Sequence, residues 1–196
     1  MAATSSPENL PPPPSLSDAA LAQEINAGNE RLLGELYNRY AGKIYYKCLG
    51  MMKDAGVAQD MAHDVFIKVS LNLHRYQGTA DLSFWIYAIT YNHCIAQLKK
   101  DKRLRFGPID ENADREDEGD IELEAKVISD LRLTQLKRVL QQLRPDEAIL
   151  LTMRYQDGMS VKQIAAILKL GESAVKMRLK RGRSHLAKLM NDLDDE

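Results

Sequence analysis

Residues 157–186 read DGMSVKQIAAILKLGESAVKMRLKRGRSHL, and this stretch decides the fold of the C-terminal half. Asp157-Gly158 is a turn. Ser160 can accept from the free amides of a helix start, and Gln163, three residues on, completes a capping box. Ile164, Ala165 and Leu168 face inward, with Ala165 small where a second helix must cross closely. Lys169-Leu170-Gly171 breaks the helix, and a second begins at Glu172 with Gly171 as an acceptable N-cap. On that second helix Val175 and Leu179 pack, while Lys176, Arg178, Lys180, Arg181 and Arg183 project outward. Two helices, a short break and a basic second helix fit DNA-reading geometry. The second helix enters the major groove, its early residues reach base edges and its later cations clamp phosphates. A helical hairpin with a basic, merely solvated face has the same spacing, so the pattern alone leaves both readings open.

Working outward, nearly every periodic segment reads as helix. Leu21, Ile25, Leu32, Leu36, Tyr40 and Ile44 recur at three- and four-residue steps or their sums, with Gly28-Asn29 dividing the stretch in two. Met61, Val65, Val69 and Leu73 keep strict i+4 spacing within Val57–Leu73. A further helix is expected from about Leu82 to Lys100, ending in a basic run that suits the negative end of a helix dipole. Residues 107–124, GPIDENADREDEGDIELE, carry no apolar period and much like charge, which predicts a flexible, self-repelling linker. Helix resumes near Ile128 through Leu131, Leu136, Val139, Leu140 and Leu143, stops at Arg144-Pro145, and restarts near Asp146 with Ile149, Leu150 and Met153. No alternating run comes with hairpin chemistry. The expected fold is all-α: two small helical domains joined by a flexible acidic linker, the second containing a helix-turn-helix.

Charge sharpens these boundaries. The net value is −1 over 196 residues, yet Asp18–Phe106 holds 12 basic against 9 acidic residues and Leu131–Met190 holds 13 against 4. Between them, Gly107–Asp130 holds 10 acidic and 2 basic. The division is a proline-rich leader (1–17), a first helical domain (18–106), an acidic linker (107–129), a second helical domain (130–190) and an acidic tail (191–196). Two positive bodies attract phosphate backbones. No apolar run approaches the roughly 18 residues a membrane span needs, no secretory signal is visible, and Cys48 and Cys94 cannot form a disulfide framework. A cytoplasmic protein is expected. Glycine-rich phosphate loops and nucleophile motifs are absent, and His63, His74, His93 and His185 are scattered without metal-ligand spacing. The expectation is no enzyme, no cofactor, no metal and no small-molecule substrate.

With both modules read, AQDMAHDVFIKV (58–69), RYQGTADLSFWIYAITYN (75–92), LRPDEAILLTMRYQDGMSVKQIAAIL (143–168) and AVKMRLKRGRSHL (174–186) resemble, in order, the region-two and region-four motifs of small bacterial sigma factors of the extracytoplasmic-function type, within the sigma-70 family. The resemblance covers about residues 18–103 and 130–190. It implies a non-catalytic subunit that binds core RNA polymerase and directs promoter recognition, DNA melting and initiation. It implies that Asp60, His63 and Asp64 meet the polymerase. The loop Tyr76–Ser83 and the next helix would receive the −10 element, through Tyr76, Gln77, Gly78 and Trp85 with Lys99, Lys100, Lys102 and Arg103. Lys176, Met177, Arg178, Lys180, Arg181 and Arg183 would serve the −35 element. An anti-sigma factor is the further partner it implies. The residues themselves leave alternatives: Asp60, His63 and Asp64 share one helix face whether it is solvated or docked, and Phe84 and Trp85 suit a core as well as a stacking platform.

Two other functions fit a basic helix-turn-helix chain. One is a transcriptional regulator that binds its operator without core polymerase; the other is a helical adaptor whose basic face meets an acidic protein. Neither needs the 58–69 helix or the Trp85 segment.

Overall fold

The computed structural model describes residues 16–78, 80–101 and 142–194. The proline-rich stretch, the acidic linker, Lys102, Arg103 and the apolar positions Leu131, Leu136, Val139 and Leu140 lie outside the described residues. All regular elements among those described are helical.

The first group comprises α1 (Asp18–Asn26), α2 (Leu33–Met52), α3 (Ala55–Asn72) and α4 (Leu82–Lys100). Ser17 Oγ accepts from the Ala20 N–H at 3.2 Å and so caps α1. The expected break falls at Gly28, whose φ of +104° is open to glycine at little cost. Gly42 does not end α2. Tyr40, Ile44 and Cys48 are buried on either side of it, and their burial outweighs the roughly 1 kcal/mol that a helical glycine costs. α3 starts two residues before the apolar pattern, because the Asp54 carboxylate accepts from the Val57 N–H at 2.9 Å. Its buried stripe is Ala58, Met61, Val65 and Val69. α1 is tied to α2 by Arg39, which donates to the Leu16 carbonyl (2.7 Å), Asp18 (2.9 Å) and Glu35 (2.8 Å), and by the Tyr40 hydroxyl, which donates to Asp18. α4 buries Leu82, Ile86, Thr90, Cys94 and Leu98 on one face, and the Thr90 hydroxyl is satisfied by the Ile86 carbonyl at 2.9 Å.

The second group is α5 (Pro145–Leu151), α6 (Val161–Leu168) and α7 (Glu172–Asp194). Proline at the first position of α5 lacks only an N–H that has no helical partner there. The carboxylate of Glu147 accepts from the Arg144 N–H (3.3 Å), from the Arg144 guanidinium (3.0 Å) and meets His185 Nδ1 of α7 at 3.0 Å. α5 widens into a π turn over Thr152–Gln156, pinned by Asp157 N–H to the Thr152 carbonyl (3.1 Å) and Met159 N–H to the Met153 carbonyl (3.0 Å). The capping box forms as the sequence predicts: Ser160 N–H donates to Gln163 Oε1 (2.8 Å) and Gln163 N–H to Ser160 Oγ (3.2 Å). Lys169 takes the left-handed turn (φ 56°) between α6 and α7. Leu150, Met153, Ile164, Val175, Leu179 and Leu186 form the core of this group.

The two groups touch. α6 lies against α4, and Asp157 in the turn before α6 reaches Lys47 of α2 and Tyr91 of α4.

Candidate functional site

The outer face of α3 presents Asp60, His63 and Asp64 to solvent, as their spacing requires. The same stripe continues through Ile67 and Leu71, at 44% and 68% exposure. Steps of four, three and four from Asp60 place both on that face, so an exposed apolar extension was available from spacing alone and was missed.

Beside this face, α3 and α4 enclose an open groove of about 560 Å³. Lys68, Asn72 and Arg75 line one side; Trp85, Ile89, Asn92 and His93 line the other. Trp85 is half-buried, serving both core and groove wall. The loop ahead of α4 is shaped by Tyr76, whose hydroxyl donates to the Ala80 carbonyl at 2.6 Å and whose ring lies 5.8 Å, centroid to centroid, from that of Trp85. Gly78 has φ +72° and, with Gln77, is exposed. Lys99 and Lys100 stand at the exposed C-terminal end of α4, one turn beyond the groove. Lys102 and Arg103 are outside the described residues.

Within the groove the His93 pKa lies below its ordinary value. Burial depresses its pKa first and the Lys68 ammonium second, with Asp64 opposing only in part. Its Nδ1 faces the Lys68 ammonium, and its Nε2 lies 3.7 Å from Asp64 Oδ2. The groove thus offers two cations, amide and imidazole hydrogen-bonding groups and one aromatic wall, the chemistry that tracks a sugar-phosphate backbone and stacks a base. Sequence reading singled out Trp85 here but not Lys68, Asn72, Arg75, Asn92 or His93. Their shared groove depends on the angle at which α3 and α4 pack, which neither helix's own periodicity encodes.

On α7, Lys176, Lys180 and Arg181 are exposed, whereas Met177, Arg178 and Arg183 are half-buried. The expectation that Arg178 and Arg183 project outward is thereby modified. At 100° per residue Arg178 and Arg183 lie about 80° and about 60° from the middle of the buried stripe Val175–Leu179–Leu186, while Lys180 and Arg181 lie farther round. Arg183 Nη1 donates to the Tyr155 hydroxyl at 3.2 Å. Arg178 has its pKa lowered, by burial first and by the nearby Arg181 and Arg144 charges, with Asp146 opposing.

The family model described as Sigma-70 region 2 matches residues 36–104, and that described as Sigma-70, region 4 matches residues 133–186. The chain belongs to the extracytoplasmic-function group of the sigma-70 family. It is 26% identical over 181 residues to the ECF RNA polymerase sigma factor SigW of Bacillus subtilis, covering 87% of this chain and 95% of that protein. Its fold is similar to that of CnrH solved with the cytosolic domain of CnrY (TM-score 0.59, 20% identity, 89% of this chain and 97% of that one). It is also similar to the sigma factor RpoE solved with the anti-sigma factor NepR, from Bartonella quintana (TM-score 0.57, 18% identity, 81% and 96%). Sigma factors are transcription initiation factors, and this sigma factor carries both helical modules in the family's order. Among its described residues no helix is long and apolar enough to cross a membrane.

Proposed function

We propose that this sigma factor divides promoter recognition between two surfaces while a third holds the enzyme. It binds core RNA polymerase through the α3 face of Asp60, His63 and Asp64, extended by Ile67 and Leu71. The loop Tyr76–Gly78 and the α3–α4 groove receive the unpaired −10 strand, with Trp85 as the aromatic wall and Lys68 and Arg75 beside the phosphates. Lys99, Lys100, Lys102 and Arg103 add positive charge beyond the groove. The −35 duplex is read by Lys176, Lys180 and Arg181, with Met177 between them. Arg178 and Arg183 act from the flanks, partly by holding α7 against α5. Division into residues 18–106 and 130–190, with an acidic linker between, follows the same reading. So does work in the cytoplasm under an anti-sigma factor, the kind of partner named for the Bartonella protein.

The observation that carries this is the pairing, in one chain, of an aromatic-walled cationic groove in the first module with a capped helix-turn-helix bearing an exposed basic helix in the second. The test is run-off transcription. Purified chain with core polymerase should start RNA at a defined promoter, and the chain alone should bind duplex DNA weakly. A free chain with tight operator affinity and no effect on core polymerase would instead establish the regulator reading; one that does neither would fit the adaptor.

A further inference from the structure

The region-four turn enters region two at a polar pocket that the functions above do not use. Asp157 is 3% exposed and Lys47 is 9% exposed at the side chain, and the two form an ion pair. The other carboxylate oxygen of Asp157 accepts from the Tyr91 hydroxyl at 2.6 Å. Lys47 Nζ also sits 4.0 Å from the centroid of the Tyr87 ring, a cation–π geometry. Lys47 comes from α2 and both tyrosines from α4, so one carboxylate of the second module fills a cationic, aromatic socket built entirely by the first. Asp157 does not drift into this place. The π turn fixes its backbone, and Gly158, at φ +65°, turns the chain away immediately after it.

We infer that Asp157 in the Lys47–Tyr87–Tyr91 socket is an intramolecular latch that holds this sigma factor in a closed form unable to span a promoter. The inference rests on the −10 and −35 assignments proposed above. Those elements lie about 25 base steps apart, roughly 80 Å of duplex at about 3.4 Å per step. In the closed form Trp85 lies six residues from Tyr91 on one helix, about 9 Å along its axis at 1.5 Å per residue. Lys176 is reached from Asp157 through two short turns, the eight-residue α6 and the first turn of α7, about 45 Å even with both turns fully extended. The two DNA-reading surfaces are therefore held closer together than the roughly 80 Å they must bridge. The latch does not cover the groove. Around α4, Tyr87 and Tyr91 point well away from Trp85, Ile89 and Asn92, by about 140° at 100° per residue. The closed form should thus take a −10 strand alone but not both elements together.

The interface is also made to open. A cleft of about 110 Å³ remains between Asp81, Ser83, Phe84 and Tyr87 on one side and Gly158 and Gln163 on the other. Each latch group regains water on separation.

The test places spin labels at Glu24→Cys and Lys188→Cys, exposed positions on α1 and α7, in the full chain; Cys48 and Cys94 are fully buried. The latched chain should give a distance distribution with a distinct short-distance peak from the closed form, and Asp157→Asn, Lys47→Gln and Tyr91→Phe should each move weight from that peak to longer distances. A parent distribution with no short-distance peak, or one that none of the three changes, overturns the latch whatever the chain does with DNA. In a second arm, a −10 single strand should bind Asp157→Asn and the parent equally. A DNA carrying both elements should bind the variant more tightly, by about threefold or more, as the competent fraction rises. Equal affinity for that DNA despite a changed distance would remove the inhibitory role. Failure of both chains, bound to core polymerase, to bind either DNA would instead overturn the promoter reading.

Discussion

Removing both groove cations, Lys68→Gln with Arg75→Gln, tests where the −10 strand runs. Both residues line the groove and are exposed, so the substitutions should change its charge with little effect on the core. If each neutralises one phosphate of a single strand, log K against log salt should flatten by about 1.4, from about 0.7 per contact. At 0.15 M salt that slope corresponds to about a 14-fold loss of affinity, or about 1.6 kcal/mol. The assay is binding of a labelled single-stranded −10 oligonucleotide by the sigma–core complex across a salt series. A second readout is built into the site. Lys68 is one cause of the low His93 pKa, so its loss should move the imidazole titration upward. Core association should be unchanged. An unaltered salt slope with the expected His93 shift would mean that the groove is intact but that the strand passes elsewhere.

Three further outcomes follow from particular contacts. Glu147→Ala should cost the second module about 1–2 kcal/mol in thermal or urea unfolding. It falls short of the roughly 3–5 kcal/mol of a fully buried pair, because the Arg144 and His185 side chains, 64% and 39% exposed, can take up water. The urea midpoint should fall with acid in two stages. Burial and Lys68 depress the His93 pKa, so the stability this neutral imidazole contributes is complete above about 6.5 and is lost as pH drops through its folded value. Burial pushes the Asp18 and Glu147 pKa values up, but hydrogen bonds from Tyr40 and Arg39, and from His185 and Arg144, outweigh it and leave both below their ordinary values. Their contribution is present above about 4.5 and disappears as pH falls through the depressed folded values; His93→Gln should abolish the first stage and leave the second. Finally, Lys176→Glu with Arg181→Glu should abolish dependence on the −35 sequence in run-off transcription while leaving core association intact. Loss of both together would contradict the division of labour.

The parts of this molecule governed by local rules are legible in its sequence. Ser160 and Gln163 announce the start of α6 because a capping box needs only three residues of spacing. Gly28 marks a break because few other residues take a positive φ cheaply. The buried stripe of α3 follows i+4 arithmetic. What was not legible depends on where helices meet. Arg178 and Arg183 look like further outward cations until α5 is placed beside α7. Gly42 weakens the helical pattern of its stretch until the burial of Tyr40 and Ile44 is counted. Helix α4 is the hardest case. Tyr87 and Tyr91 share it with Trp85, and the helix is apolar on most sides because it supplies the core, the groove wall and the socket at once. No single stripe assigns those aromatics to separate tasks. Asp157 reads as half of an Asp-Gly turn, which it is; that its carboxylate crosses to the other module is a contact between residues 66 and 110 positions apart.

That contact is better suited to setting an equilibrium than to adding stability. Burying a carboxylate and an ammonium costs several kcal/mol per ion, and their attraction about offsets it. An isolated interface of this size, with one ion pair, one hydroxyl bond and an unfilled cleft, would have a Kd near the millimolar range, about −4 kcal/mol. Because the two modules belong to one chain their encounter is intramolecular, with a local concentration on the order of millimolar. The closed-to-open ratio is the quotient of those two quantities, so the latch sits within about an order of magnitude of balance. A partner that contacts both modules only when they are apart then needs a differential affinity of about 3 kcal/mol to move the ratio from about ten to one to about one to ten. Core polymerase and a spanning promoter, each gripping two surfaces, can supply that; a −10 strand alone, gripping one, cannot. The acid at 157 therefore discriminates between partial and complete engagement, and the sign of its effect on the two DNA substrates is the consequence hardest to obtain from any arrangement without a latch.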